Sequence, residues 1–340
     1  MNIKHLILSF LVLGLFACEN QDIVYPDYGT TAGYFPYQTP VRTLILGNYD
    51  QGINENDNNR RFEIGMTMAG VYENNQARTV HFEVDNSLLA NVANVQALPS
   101  EYYTTEVQSP LTIPSGSTKG IIPIQLTSGF FDDPLSYGEG VNYVIPVRIT
   151  ELENLDTLLV GESVVANPDR VNPADWNVLP KDYTLYGIKF INPYHGNYLR
   201  RGIDVMTDAA GNTVENVYIS EYVVRDEVVP VNTSGRSSVT LENIVRRGDS
   251  ESPGSLMMEL NFNSENQCTI RSATDDPYQI DGSGQFVEDG DEWGDKSRDV
   301  IYLDYNYTDL ANSETHSVKD TLVIRDRAVT FEEFTVELNE

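Results

Sequence analysis

Residues 61–68 read RFEIGMTM. Phe62, Ile64, Met66 and Met68 fall on one side of an extended chain, and Arg61, Glu63, Gly65 and Thr67 on the other. A helix of 3.6 residues per turn would scatter those apolar positions around its surface, whereas a strand collects them on one face. Residues 78–85, RTVHFEVD, repeat the pattern with Val80, Phe82 and Val84 on one face and His81 on the other. GIIPIQL (120–126) and NYVIPVRIT (142–150) are similar runs, interrupted by Pro123 and Pro146. A proline inside such a run points to an edge strand or a bulge, because it donates nothing to the ladder. Polar turns separate the runs: NYDQGINENDNN (48–59), LPSEYY (98–103) and IPSGSTKG (113–120). Alternation at short intervals predicts a β-sandwich over residues 30–152.

Residues 153–180 crowd Pro, Asn and Asp without a sustained period, as in ESVVANPDRVNPADWNVLP, and read as a linker or extended pairing segment. From 181 to 340 the strands resume: TLYGIKFIN, GNYLRRGIDVM, NVYISEYVV, SSVTLENIV, SLMMELNF, QCTIRSA, YQIDGSGQFVE, DVIYLDYNY, KDTLVIRD and FEEFTVEL. Short strands joined by Gly, Asn or Asp turns predict a lipocalin-like antiparallel β-barrel or a second sandwich. No amphipathic run of helical length follows residue 18. The expected fold class is all-β.

The N-terminus carries a different signal. Lys4 precedes an apolar run over 6–16, LILSFLVLGLF, too short to span a bilayer and laid out like a secretory h-region. Leu15, Phe16 and Ala17 lead into Cys18, a pattern that resembles the bacterial lipobox, in which the cysteine is lipidated and becomes the first mature residue. Residues 1–17 are then a lipoprotein signal peptide and 18–29 a lipidated tether. Several acyl chains on one thiol hold a protein stably at a membrane. The acidic stretch ENQDIVYPD after Cys18 resembles the surface-export signal of Bacteroidetes lipoproteins, implying the outer face of the outer membrane. The net charge of -29 repels phosphate, so nucleic acid is not an expected partner, and it disfavours anionic membrane beyond the anchor. Cys268, in NQCTIRS, is then a lone thiol, expected to be buried and inert.

Few stretches carry recognisable chemistry. NPYHGNYLRRG (192–202) offers His195 as a base, but it supplies no partner at an interpretable spacing, and a β-hairpin turn accounts for it. In EDGDEWGDKSRD (288–299), Asp289, Asp291 and Asp295 resemble part of a calcium loop, with Trp293 where an oxygen ligand belongs and no terminal Glu. NENDNN (54–59) is a second polar loop that reads first as solvated. Trp293 itself, set among charges and glycines, is expected to be exposed. Flat aromatic faces stack on the apolar face of a sugar ring while neighbouring Asp and Asn bond its hydroxyls. Trp293 is therefore the first glycan-contact candidate, followed by Tyr305, Tyr194 and Tyr198. Trp176, Tyr183 and Tyr186 read as packing at the domain junction. No HExxH, GxSxG or Walker sequence occurs, and three histidines and one cysteine after residue 18 do not suggest a metal site. No cofactor is expected.

Taken together, AGYFPYQTPVRTLILGNYD, LPSEYY, IPSG and YVIPVRIT resemble the N-terminal domain of unknown function of Bacteroidetes surface lipoproteins. DYTLYGIKFINPYHGNYLRRG, GSGQFVE, YLDYNY and DTLVIRDRAVTFEEF resemble the C-terminal domain that accompanies it. Proteins of this kind look like accessory lipoproteins of starch-utilisation-type, or polysaccharide utilisation, loci. The resemblance implies a non-catalytic protein that captures oligosaccharides at the cell surface for an outer-membrane transporter and its lid lipoprotein. The other reading it allows is a structural or adhesion lipoprotein of the outer-membrane complex with no direct sugar binding.

Overall fold

A computed structural model describes residues 27–247, 254–273 and 278–339; the signal segment and Cys18 lie outside the described residues. The fold is all-β. Residues 61–69 form the strand Arg61–Ala69, and Phe62, Ile64, Met66 and Met68 are all buried, as the alternation requires.

Two sheets build the N-terminal unit. One orders its strands Thr157–Leu158, Ala32–Tyr34, Arg61–Ala69, Lys119–Leu126 and Tyr103–Thr105. The other runs Glu332–Glu333, Pro40–Ile45, Tyr183–Ile191, Tyr143–Glu153, Arg78–Val84 and Leu111–Ile113. Between them Ile64, Met66 and Ile124 meet Val80, Ile145 and Phe190. Each fully buried side chain of this kind contributes about 1.5–3 kcal/mol. Val84, expected on the buried face, is exposed as the last residue of its strand, although Val80 and Phe82 on the same face are buried.

The two prolines do not mark edge strands. Both runs lie inside sheets, but Pro146 falls where one neighbouring strand begins at Val147 and another ends at Val144. Pro123 likewise precedes Ile124, where the strand Tyr103–Thr105 starts to pair. Each missing N–H therefore meets no acceptor.

The strand Tyr183–Ile191 opens the expected C-terminal domain in sequence, yet it is hydrogen-bonded into the sandwich between Tyr143–Glu153 and Pro40–Ile45. Leu185 and Ile188 on it are fully buried, on opposite sides of the sheet, so only a central strand suits it. The C-terminal FEEFTVEL also returns to this unit, where Glu332–Glu333 pairs with Pro40 and Val41.

The barrel has eight strands: Gly196–Thr207, Glu227–Thr233, Ser238–Val245, Gly254–Phe262, Gln267–Ser272, Tyr278–Trp293, Lys296–Asp309 and Glu314–Asp326. The last pairs with the first over eleven registered positions and closes the ring. A short strand, Thr213–Tyr218, extends the first as a hairpin. Glu227–Thr233 has no counterpart in the sequence reading, since Pro230 breaks its pattern; Pro230 is exposed opposite Asn197.

The two units are fastened by Arg327. Its guanidinium donates to the carbonyls of Leu46 and Asn48 on the sandwich side, at 3.0 and 2.6 Å, and of Asn192 and His195 at the barrel entrance, at 2.6 and 2.8 Å. Arg298 adds an ion pair to Asp50 at 2.9 Å.

Candidate functional site

Alternation sorts each barrel strand into a lumen row and a wall row. On Lys296–Asp309, Ile301, Leu303, Tyr305 and Tyr307 point inward, and Tyr302, Asp304 and Asn306 face solvent. The lumen is apolar towards the sandwich and polar at the far end. There Tyr305 donates to Asp320 at 3.0 Å and accepts from Asn243 at 2.9 Å. Tyr218 also donates to Asp320. Arg200 is fully buried, with Glu227 at 3.4 Å, Asp320 at 4.0 Å and the Tyr218 ring at 5.1 Å, and its guanidinium forms no hydrogen bond among the described residues. Charge and a ring face hold it instead. Burial pushes Asp320 up, against the pull of Arg200, and drives the Tyr305 hydroxyl well above its ordinary range. Beside this group His316 stacks on Tyr307 at 4.2 Å and bonds Asp204 at 2.9 Å.

This arrangement corrects the aromatic candidates. Tyr198 and Tyr305 are sealed in the lumen and have no face to offer. Tyr194 is buried against Phe262, ring to ring at 3.7 Å, and its hydroxyl meets Asn266. Trp293 is half-buried on the outer surface: its indole N–H donates to the Ile324 carbonyl at 2.9 Å, Arg298 covers one ring face at 4.2 Å, and it packs on Leu199, Val300 and Val323. The four rings do not make one platform. Local sequence made Trp293 look exposed; the neighbouring strand supplies its acceptor.

The acidic loop is likewise a hairpin. Trp293 pairs with Lys296 across a turn of Gly294 and Asp295, both with positive φ, and Asp289 sits in a bulge where its N–H bonds Asp299. Among the described residues no group of three His, Cys, Asp or Glu is arranged to hold a metal ion. The second loop, 54–59, forms a short helix, Glu55–Asn58, whose Asp57 is buried and takes up Arg42 and the Ile45 N–H. Trp176 donates to the Asp169 carbonyl at 2.7 Å, and Tyr186 stacks on Phe62 at 5.6 Å. Cys268 is buried, and burial pushes its thiol up to about 12, which leaves it inert at neutral pH.

The wall offers what the lumen does not. A groove of about 960 Å³ crosses the outer face of the strands from Gly254–Phe262 to Glu314–Asp326. Two cross-strand rows line it. One runs Thr269, Ser283, Asp304, Lys319; the other Gln267, Gln285, Tyr302, Thr321. Strands lie about 4.8 Å apart, so each row repeats a polar group at close to the rise of one sugar unit in a chain. Tyr302 is 40% exposed in the middle of its row. A second hollow of about 370 Å³ continues along the same strands past Asp281, Asn306 and Ser317.

The dent has a sequence origin. In DGSGQ (281–285) the inward positions are Gly282 and Gly284. A Cβ on Gly282 would stand 2.3 Å from that of Tyr305, and one on Gly284 would stand 2.8 Å from the Cys268 sulfur. With no side chains there the wall sinks towards the lumen, and Ser283 and Gln285 floor the groove.

A crystal structure from Bacteroides ovatus, described as of unknown function, matches this chain at 34% identity and a TM-score of 0.83, covering 92% of this chain and 99% of that one. The chain belongs to that protein's family. Within the family's shared architecture, a model described as a domain of unknown function, DUF5627, matches residues 193–328, and a model for an N-terminal domain matches residues 27–156. An auxiliary nutrient binding protein from Bacteroides thetaiotaomicron is similar over 87% of this chain and 95% of its own, at 15% identity and a TM-score of 0.39. A multidomain Bacteroides ovatus protein including DUF1735 is similar over 90% and 99%, at 12% identity and a TM-score of 0.41. No curated protein matches.

Proposed function

We propose that this protein is a non-catalytic glycan-binding lipoprotein, anchored through Cys18 to the outer face of the outer membrane, that captures oligosaccharides for an outer-membrane transporter and its lid lipoprotein. The observation that carries the reading is the wall groove. It is open enough for a chain to lie across it, and it presents amide, hydroxyl and carboxylate groups at strand spacing around one exposed ring, Tyr302. Sugars are recognised by that mixture of a stacking face and oriented polar groups. His195 does not suit catalysis: its Nδ1 already accepts the Thr233 N–H, and no carboxylate among the described residues bonds it.

The test is a glycan array probed with the chain from residue 19, which keeps both units whole. Selective retention without product release is expected. Tyr302→Ala is expected to weaken it about tenfold, the cost of one stacking contact. A blank array with folded protein would overturn the proposal.

One observation favours the second reading, a structural lipoprotein of the membrane complex. Val214, Val217, Ile219, Tyr222, Val224 and Val228 are exposed around the hairpin that ends in Thr213–Tyr218 and the turn after it. Exposed apolar side chains concentrated in one segment suit a protein contact. This segment lies beside the barrel and away from the wall groove's two rows. A blank array would move attention there.

A further inference from the structure

A second concavity lies where the two units meet. It has a volume of about 520 Å³ and takes lining residues from both, Thr43, Glu139 and Lys189 from the sandwich side and His195, Thr240 and Met257 from the barrel side. We infer that this junction cleft is a binding site for a single neutral polyol ring, such as one sugar unit, separate from the groove on the barrel wall.

His195 supplies the cleft's donor. The backbone N–H of Thr233 points at its Nδ1 at 3.0 Å, so Nδ1 is the acceptor and the proton resides on Nε2. That N–H has no partner among the described residues, and His195 lines the cleft. Burial, with Arg327 and Lys189 nearby, lowers its pKa to about 4, so the ring is a neutral donor at ordinary pH.

The charge in the cleft is largely cancelled. Lys189 is mostly buried and pairs with Glu332 at 2.9 Å, leaving Glu139 as the remaining carboxylate. An anionic ligand has no unpaired cation to meet there. What remains is a set of polar groups on Thr43, Asn232 and Thr240, the imidazole donor and an apolar surface from Ile191, Met257 and Val329; the Thr233 hydroxyl is taken up by the Asn192 N–H. A ring with one apolar face and a rim of hydroxyls complements that set. The walls are also fixed in advance. Arg327 ties Leu46 and Asn48 to Asn192 and His195, and burial holds its pKa down without removing its charge. A preformed cleft between two units costs little to close on a ligand.

The probe is a panel of free glucose, galactose, mannose, xylose and N-acetylglucosamine, titrated into the chain from residue 19 labelled at histidine nitrogen. The His195 Nε2–H resonance is assigned by its loss in His195→Gln. A saturable shift with one sugar, at millimolar affinity, is expected. It should vanish in Thr240→Phe, which fills the cleft, and persist in Tyr302→Ala. If Thr240→Phe does not fold, Asn232→Trp at an exposed position on the same rim serves in its place. No shift with any sugar would overturn the inference, as would a shift lost in Tyr302→Ala and kept in the filled variant. The two readings fail separately: a blank array with an intact His195 shift removes the wall groove, and array binding with a silent His195 removes the cleft.

Discussion

Lumen and wall of the barrel are made by the same strands, one residue apart. Tyr305 and Tyr302 sit three positions from each other on Lys296–Asp309, yet one is fully buried between Asp320 and Asn243 and the other is open to solvent above the groove. The lesson is that the aromatic residues most conspicuous in the sequence serve the fold, and that the surface suited to a ligand is built from Gln, Ser, Thr, an Asp304–Lys319 pair and one unremarked tyrosine. Burial made Tyr198 and Tyr305 costly to misplace. The wall side chains bond only to near neighbours, Tyr302 to the Gly290 carbonyl, Gln285 to those of Glu265 and Phe286, and Lys319 to Asp304, and none of these contacts holds the lumen together.

That contrast is open to attack, and the sharpest attack is on Arg200. Replacing it with Met leaves Asp320 buried without its cation, and a loss of about 3–5 kcal/mol is expected in urea unfolding. A double change, with Asp320→Leu as well, should recover much of it. A loss under about 1 kcal/mol would mean the polar end of the lumen is not a coupled network.

Next comes acid. His195 is held neutral in the fold, and in the unfolded chain it takes a proton below its ordinary value of 6.5. The folded pKa is the lower one, so its contribution is complete above 6.5 and is lost as pH falls towards about 4. Stability should therefore drop across that window by at most about 3 kcal/mol, and His195→Gln should remove that part of the slope. Thermal melts at stepped pH read it directly.

Tyr305→Phe removes one hydroxyl from Asp320 and Asn243 and should cost about 1–3 kcal/mol while leaving glycan retention unchanged. Trp293→Ala loses the bond to Ile324 and the Arg298 contact, so a loss of about 1–2 kcal/mol is expected, again without effect on retention. A drop in retention with Trp293→Ala would return the binding site to the hairpin tip. Tyr302→Ala should do the reverse of both: it gives up one bond, to the Gly290 carbonyl at 3.1 Å, so stability should fall by no more than about 1 kcal/mol while binding weakens about tenfold.

Much of the fold was legible because alternation is local. Phe62 to Met68, the strands around 254–272 and the tyrosine face of 299–307 could be read residue by residue, since period two needs only the strand itself. Other elements were decided elsewhere. Tyr183–Ile191 has the same apolar texture as a barrel strand, and only its partners, Val144 and Val41 across Gly187, place it in the sandwich. Glu227–Thr233 was hidden by Pro230, which a strand tolerates where the lost N–H needs no partner. The site was less legible still. DGSGQ shows two glycines, but nothing in it tells that Tyr305 and Cys268 stand opposite them and let the wall sink.

By itself, then, the chain determined its strands, the turns between them and its all-β class, because alternation and turn chemistry are properties of neighbouring residues. Which strand pairs with which, which tyrosine is sealed and which is open, and where a groove or a cleft forms were decided only when residues far apart met. Gly196–Thr207 closing on Glu314–Asp326, and Arg327 reaching Leu46 and Asn48, are contacts between distant residues. Their free energy comes from burial and hydrogen bonds that exist only in the assembled fold.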